Sequence, residues 1–284
     1  MKGIAYLLQA SLISLWWVGL IVNEAFYEAF QFPDISATAF NSFLIPDIIV
    51  IGIFSIIIAY RKLDYLQYVV LGAFGYAALF CINATILSGG GYLSSSIMFL
   101  GLCYNLFLVY QSTFFKVSTN DSFLINLLKT ILQVICIWSI TLLVIPVIIL
   151  TSFKQEIVLE IESNILSAGL FVLFSLLNLY AGYTMVLNGK GTPLPFDQTQ
   201  NLVVVGPYRY VRNPMATAGV GQVIALGMIF NSLAIVVYAF IGAILWHYVV
   251  RPSEELDMEN RFGESYNAYR KKVRCWIPTF KKSN

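Results

Sequence analysis

Long apolar runs alternate with short polar interruptions along the whole chain. Runs that reach or approach the roughly 20 residues of a membrane-spanning helix occupy positions 4–22, 43–60, 65–87, 92–115, 123–150, 161–187, 215–230 and 233–250. This pattern predicts an all-α polytopic integral membrane protein of about eight transmembrane helices. The last two form a tight hairpin turning at Asn231-Ser232. The 215–230 run amounts to roughly 24 Å of helix at 1.5 Å per residue, so it either spans thinly or re-enters. Composition agrees: 58% of the 284 residues are hydrophobic and 11% charged, against roughly 25% charged in soluble domains.

Cations set the expected orientation, because Lys and Arg near segment ends favour the cytoplasmic side. Lys2, Arg61, Lys62, Lys116, Lys129, Lys190, Arg209, Arg212, Arg251 and the basic tail fall on one side, leaving Lys154 on the other. Glu24, Glu28, Asp34, Glu156 and Glu160 lie with Lys154. Both termini are therefore expected in the cytoplasm. The first run follows Lys2 but is long, carries Trp16 and Trp17 and lacks a small-x-small cleavage site, so it reads as a retained helix.

Polar chemistry is sparse before residue 161 and dense after it, dividing the chain into membrane scaffold helices (1–160) and a motif-bearing membrane core with a cytoplasmic tail (161–284). Asn83, Asn105, Gln133 and Asn178 lie within apolar runs, where amides hydrogen-bond between helices. Cys81, Cys103, Cys136 and Cys275 are too dispersed for a disulfide framework. One histidine and no CxxC make a dedicated zinc site improbable. The basic stretch 270–274 with Lys281-Lys282 suits an anionic membrane surface and not nucleic acid. Pattern alone fixes no oligomeric state.

Positions 188–196, Asn-Gly-Lys-Gly-Thr-Pro-Leu-Pro-Phe, form a loop by their glycine and proline content. Next comes Gly206-Pro-Tyr-Arg-Tyr-Val-Arg-Asn-Pro214, in which Asn213 is an N-cap residue and Pro214 occupies the first helical position. Thr217, Gly221 and Ala225 then repeat a small-xxx-small spacing that permits close helix approach. Beyond the hairpin, a helix continuing past residue 250 would bring His247, Arg251, Glu254 and Glu255 onto one stripe, although Pro252 weakens that geometry. Phe262, Tyr266, Tyr269 and Val273 mark an apolar face opposite Arg270, Lys271 and Lys272, suited to a lid or an interfacial anchor, which Trp276 and Pro278 close.

The ordered set GPYRYVRNP, apolar hairpin, RPSEEL and RFGESYNAYRKKVRCWIP resembles the isoprenylcysteine carboxyl methyltransferase and phospholipid methyltransferase family over roughly the final 90 residues. The resemblance implies a membrane enzyme using S-adenosylmethionine. It nominates Arg212, Asn213, Pro214, Glu254 and Glu255 for the cofactor pocket, with Gly206 and Tyr208 beside them. Two departures stand out: Asn213 replaces the histidine usual in the carboxyl methyltransferases, and Met215-Ala216 replaces a tyrosine that commonly follows the proline. On this reading Arg251 orients an anionic acceptor and His247 accepts a proton. The expected partners are membrane lipids and a hydrophobic small-molecule, lipid or prenylated acceptor. The alternatives are a transporter or receptor for a polar ligand, or a degenerate member of the family.

Overall fold

The computed structural model describes residues 2–61, 63–153 and 164–279. Sequence readings at Lys62, Lys154, Glu156, Glu160, residues 161–163, Lys281 and Lys282 lie outside them. All eight predicted runs are helical, and no strand forms among the described residues. Seven helices are long and apolar enough to cross a membrane: Lys2–Val22, Ala37–Arg61, Asp64–Ser88, Tyr92–Gln111, Phe123–Ser152, Ile165–Gly189 and Leu233–Lys272. The eighth, Pro214–Ile229, is apolar but has only 16 residues. The protein is thus a multi-pass integral membrane protein.

The chain forms two compact units, one from Met1–Gln111 with Ile145–Glu156 and the other from Ser112–Val144 with Ile157–Asn284. In the first, side-chain hydrogen bonds tie helix to helix. Asn105 Nδ2 donates to Gln9 Oε1 at 2.8 Å, Gln9 Nε2 to Ser55 Oγ at 2.8 Å, and Trp17 Nε1 to Asp47 Oδ2 at 3.0 Å. Such bonds specify helix pairing where water cannot compete. Asn105 thus serves as its sequence position suggests, whereas Asn83 is exposed on its helix.

The second unit is organised by the contact between helices Asn164–Gly189 and Pro214–Ile229. Ala181, Ala218 and Ala225 are almost wholly buried. A Cβ added at Gly221 would stand 2.6 Å from the Phe174 ring, so the small-residue spacing corresponds to a real close approach. The hairpin forms as expected. Asn231 takes φ +51° and Ser232 Oγ accepts from Ile235 N at 3.2 Å, capping the next helix.

Asn188 and Gly189 end the Asn164–Gly189 helix, and the rest of the 188–196 stretch is a loop with a single tight turn at Pro195–Asp197. It is pinned to residues 116–118: Lys116 N donates to Pro195 O and Gln198 N to Lys116 O, both at 2.8 Å. Helix continuity past residue 250 is also observed. A widened turn at Trp246–Val250 leads directly into Arg251–Lys272. It ends two residues before Pro252, whose missing N–H disturbs regular helical bonding.

One expectation needs correction. Gly263, at φ +53° and ψ −126°, kinks the terminal helix, so Phe262 does not share one continuous helical face with Tyr266, Tyr269 and Val273. Tyr266 and Val273 are buried, while Phe262 receives the Arg261 guanidinium 4.8 Å from its ring centre. A positive φ is accessible to glycine at little steric cost, and it resets the helical phase there.

Candidate functional site

Residues Gly206–Arg209 fold into a single tight turn. Gly206 enters it at φ +58°, and Tyr208 N and Tyr210 N donate to Val205 O and Pro207 O. The turn drives Tyr208 into a small apolar core with Ala181, Val203, Met185 and Met215. Burial raises the Tyr208 hydroxyl well above its ordinary range, and nearby Tyr269 and Glu254 add to the shift. Tyr208 therefore stays neutral as a wall of the site.

Asn213 then opens the next helix. Its Oδ1 accepts from Ala216 N at 3.2 Å, and Pro214 follows as the first helical residue. Since the cap uses the oxygen, the amide nitrogen is free to donate to Glu254 Oε2 at 3.3 Å.

Opposite, the predicted stripe is real. Glu255 Oε1 lies 2.8 Å from Arg212 Nη1 and 3.5 Å from Arg251 Nε, so one carboxylate faces two guanidiniums. Arg212 also donates to the Tyr266 hydroxyl at 3.4 Å, and its buried Nε has no hydrogen-bond partner. Glu254 has no such cation. Burial, with Glu255 and Asp257 nearby, pushes its carboxyl up to about 7. Two adjacent glutamates thus sit in different surroundings, Glu255 between two guanidiniums and Glu254 against the Asn213 amide.

The terminal segment lies across this group. Tyr269 donates its hydroxyl to Tyr208 O at 2.6 Å, Arg212 N donates to Arg274 O at 2.9 Å, and Thr279 N donates to Tyr210 O at 2.9 Å. Trp276 Nε1 donates to His247 Nδ1 at 2.8 Å, while its ring meets Trp246 edge-on at 5.1 Å. These contacts hold the terminal segment against the site. They also engage the Nδ1 lone pair of His247.

These residues border a cavity of about 500 Å³, within the size range of small-molecule sites. Tyr208, Arg212, Asn213, Arg251, Glu254 and Glu255 line it; Gly206, Pro214 and His247 do not. Gly206 and Pro214 shape the backbone behind the wall. At its other end the cavity reaches Ile137, Leu142, Val220, Tyr238, Ala239 and Gly242, all within apolar helices.

Sequence reading did not single out the individual roles of Gln198 and Arg261 in this wall, or of Asp257 behind it. Arg261 Nε meets Asp257 Oδ2 at 2.8 Å and its Nη1 donates to Thr199 O at 2.7 Å. The i, i+4 acid–base spacing of Asp257 and Arg261 was the available signal. Gln198 Nε2 donates to the same Asp257 carboxylate at 2.9 Å, a contact that only the folded loop creates. No group of three or more His, Cys, Asp or Glu suited to a metal occurs among the described residues.

Residues 163–265 match the phospholipid methyltransferase family. The match spans the helix before the loop, the GPYRYVRNP turn, the hairpin and the glutamate stripe, so every nominated residue falls within it. It supports a membrane methyltransferase in general, and methyltransferases of this family generally use S-adenosylmethionine. No curated protein and no solved structure matched the chain.

Proposed function

We propose that this protein transfers a methyl group from S-adenosylmethionine to an acceptor delivered by the membrane, in the cavity of the second unit. The observation that carries this reading is that one cavity joins the Arg212–Glu255–Arg251 network to apolar helix surface. Along the Leu233–Lys272 helix its lining includes both Tyr238 and Glu255, roughly 25 Å apart at 1.5 Å per residue. A charged cofactor and an apolar acceptor can therefore share it.

The chain's own groups suit the cofactor. Arg212 retains a buried Nε without a partner, which fits a carboxylate. Glu254, lacking a cationic partner, fits an ammonium, and Tyr208 with Tyr269 provides aromatic wall. When bound, S-adenosylmethionine would supply an activated methyl: the acceptor's lone pair would bond to the methyl carbon as the C–S electron pair returns to sulfur, the thioether would leave, and an acceptor bearing a proton would give it up to a base such as His247 or to solvent. What remains for the protein is alignment and exclusion of water. Arg251 orients the acceptor beside Glu255, and His247, held by Trp276, anchors the cover. The distribution of Lys and Arg supports a cytoplasmic site.

The test is transfer of labelled methyl from S-adenosylmethionine into a lipid and metabolite extract by the purified protein, followed by identification of the product. Saturable cofactor binding and one labelled product are expected. Folded protein that binds no S-adenosylmethionine would overturn the reading, and uptake of a polar solute into liposomes without cofactor would favour a transporter. In the Glu254→Gln/Glu255→Gln variant, cofactor affinity should fall while the fold persists.

A further inference from the structure

Asp47 is the only charged side chain between Ala37 and Tyr60, and it sits inside a helix of membrane-spanning length. A carboxylate there is expensive and calls for a partner. The protein supplies half of one: Trp17 Nε1 donates to Asp47 Oδ2 at 3.0 Å. Among the described residues no Lys, Arg or His forms an ion pair with it. The residue is 6% exposed, and its Oδ1 accepts no hydrogen bond among the described residues yet is not closed off by protein. Other ties between helices in this unit use the neutral groups of Gln9, Ser55 and Asn105. Helix pairing alone therefore does not account for an acid at position 47.

Asp47 lines a second cavity, of about 40 Å³. Six rings line it too: Trp16, Trp17, Phe32, Phe40, Phe43 and Phe80. Trp16 and Trp17 lie 5.1 Å apart between ring centres, Trp17 and Phe40 6.1 Å, and Phe43 and Phe80 4.7 Å. Ser94, also in the wall, spends its hydroxyl on Phe30 O. None of these residues lines the larger cavity, and all lie outside residues 163–265.

This chemistry selects one class of ligand. Aromatic faces attract cations through the ring quadrupole, most strongly where water is excluded, and a carboxylate oxygen adds a full opposite charge. A hard metal ion takes six or more oxygen ligands, and no cluster of three or more His, Cys, Asp or Glu suited to a metal occurs among the described residues. An organic ammonium needs no such shell. At roughly 10–15 Å³ for each water-sized group, the cavity accepts a compact head and not a large metabolite.

We infer that the first unit binds a small organic ammonium, its charge beside Asp47 Oδ1 and its methyl or methylene groups against the aromatic wall. The site is distinct from the methyl-transfer cavity, and the inference does not rest on the methyltransferase reading. Trp17 acts as a positioning residue, because its N–H holds Oδ2 and leaves Oδ1 for the ligand.

The experiment uses the full chain in nanodiscs of digalactosyldiacylglycerol, a lipid without an ammonium group, titrated with tetramethylammonium or with tert-butanol, a neutral molecule of similar shape. Binding is read by tryptophan fluorescence, since Trp16 and Trp17 line the cavity. Tetramethylammonium should bind about tenfold more tightly, the scale of a desolvated cation over aromatic rings. Asp47→Asn keeps an oxygen for the Trp17 N–H but removes the charge, so it should erase the preference and leave tert-butanol affinity unchanged. If that variant fails to fold, Phe80→Leu, at a partly exposed position, should weaken tetramethylammonium about threefold. Repeating the titration in phosphatidylcholine nanodiscs separates the sources: equal affinity identifies a soluble ammonium, and weaker affinity identifies a lipid head that competes. Tetramethylammonium binding no tighter than tert-butanol overturns the inference. So does a preference that persists in Asp47→Asn, which would place the cation elsewhere in the protein, the larger cavity included.

Discussion

Asn213 Nδ2 donates to Glu254 Oε2 at 3.3 Å while Asn213 Oδ1 caps the Pro214–Ile229 helix, so one amide joins the start of a helix to a carboxyl across the cavity. A histidine at this position would have to divide its two ring nitrogens between the same tasks. Asparagine performs both without titrating.

The two tasks are separable by substitution. Asn213→Ala should lower stability by about 1 kcal/mol through loss of the cap and weaken S-adenosylmethionine binding by releasing Glu254. Asn213→Asp keeps a capping oxygen but sets a second carboxylate against Glu254, so it should retain more thermal stability than Asn213→Ala yet bind cofactor less well than wild type. Calorimetric titration beside thermal unfolding measures both. Equal cofactor affinity in all three proteins would detach Asn213 from the site.

Glu254 makes the site pH-dependent. Its folded carboxyl sits at about 7, raised by burial and by Glu255 and Asp257, from an ordinary value of 4.5. The folded state therefore holds this proton where the unfolded chain has lost it. Stability from Glu254 is full below about 4.5 and is lost as pH rises to about 7. Cofactor binding through the ionised carboxylate should run the opposite way, strengthening as pH rises through 7. Glu254→Gln should flatten both trends between pH 5 and 8, checked by unfolding temperature and cofactor affinity across that range. Wild-type curves superimposable on those of the variant would remove Glu254 as their source.

Much of this arrangement was readable before folding, for identifiable reasons. Apolar runs reveal membrane helices because the bilayer imposes one length and one chemistry on them. Asn213-Pro214 announces a helix start, and the His247, Arg251, Glu254, Glu255 spacing survives because the Trp246–Val250 turn keeps the helix continuous into Arg251–Lys272. What stayed hidden depends on tertiary contact or on a single dihedral. Gln198 gains its Asp257 partner only when the 188–196 loop is pinned to residues 116–118, and Gly263 breaks the tail's period although the side-chain pattern reads through it. The contact of His247 Nδ1 with Trp276, 29 positions away, is likewise created only by the fold.

Gly206 separates backbone shape from ligand contact. It lies at φ +58°, and an added Cβ would stand 3.1 Å from the Thr184 side chain. Gly206→Ala should cost about 1–2 kcal/mol through the left-handed backbone alone, lowering the unfolding temperature. Because Gly206 does not line the cavity, cofactor affinity of the folded fraction should change less than in Asn213→Ala. A larger loss of affinity than of stability would place Gly206 in direct contact with the ligand.

The contact between Trp276 and His247 tests whether the terminal segment is a cover. Trp276→Phe preserves a ring to meet Trp246 but removes the N–H that donates to His247 Nδ1 at 2.8 Å. Loss of one such bond, about 1 kcal/mol, should raise the open population of the segment about fivefold. The exposed Arg270, Lys271, Lys272 and Arg274 make that population visible to trypsin. Cleavage there should accelerate in Trp276→Phe and in His247→Ala, while saturating S-adenosylmethionine should slow it in the wild type, because a ligand under the cover stabilises the closed form. Unchanged cleavage in both variants, with cofactor giving no protection, would show that this segment binds the membrane or the protein surface without gating the cavity.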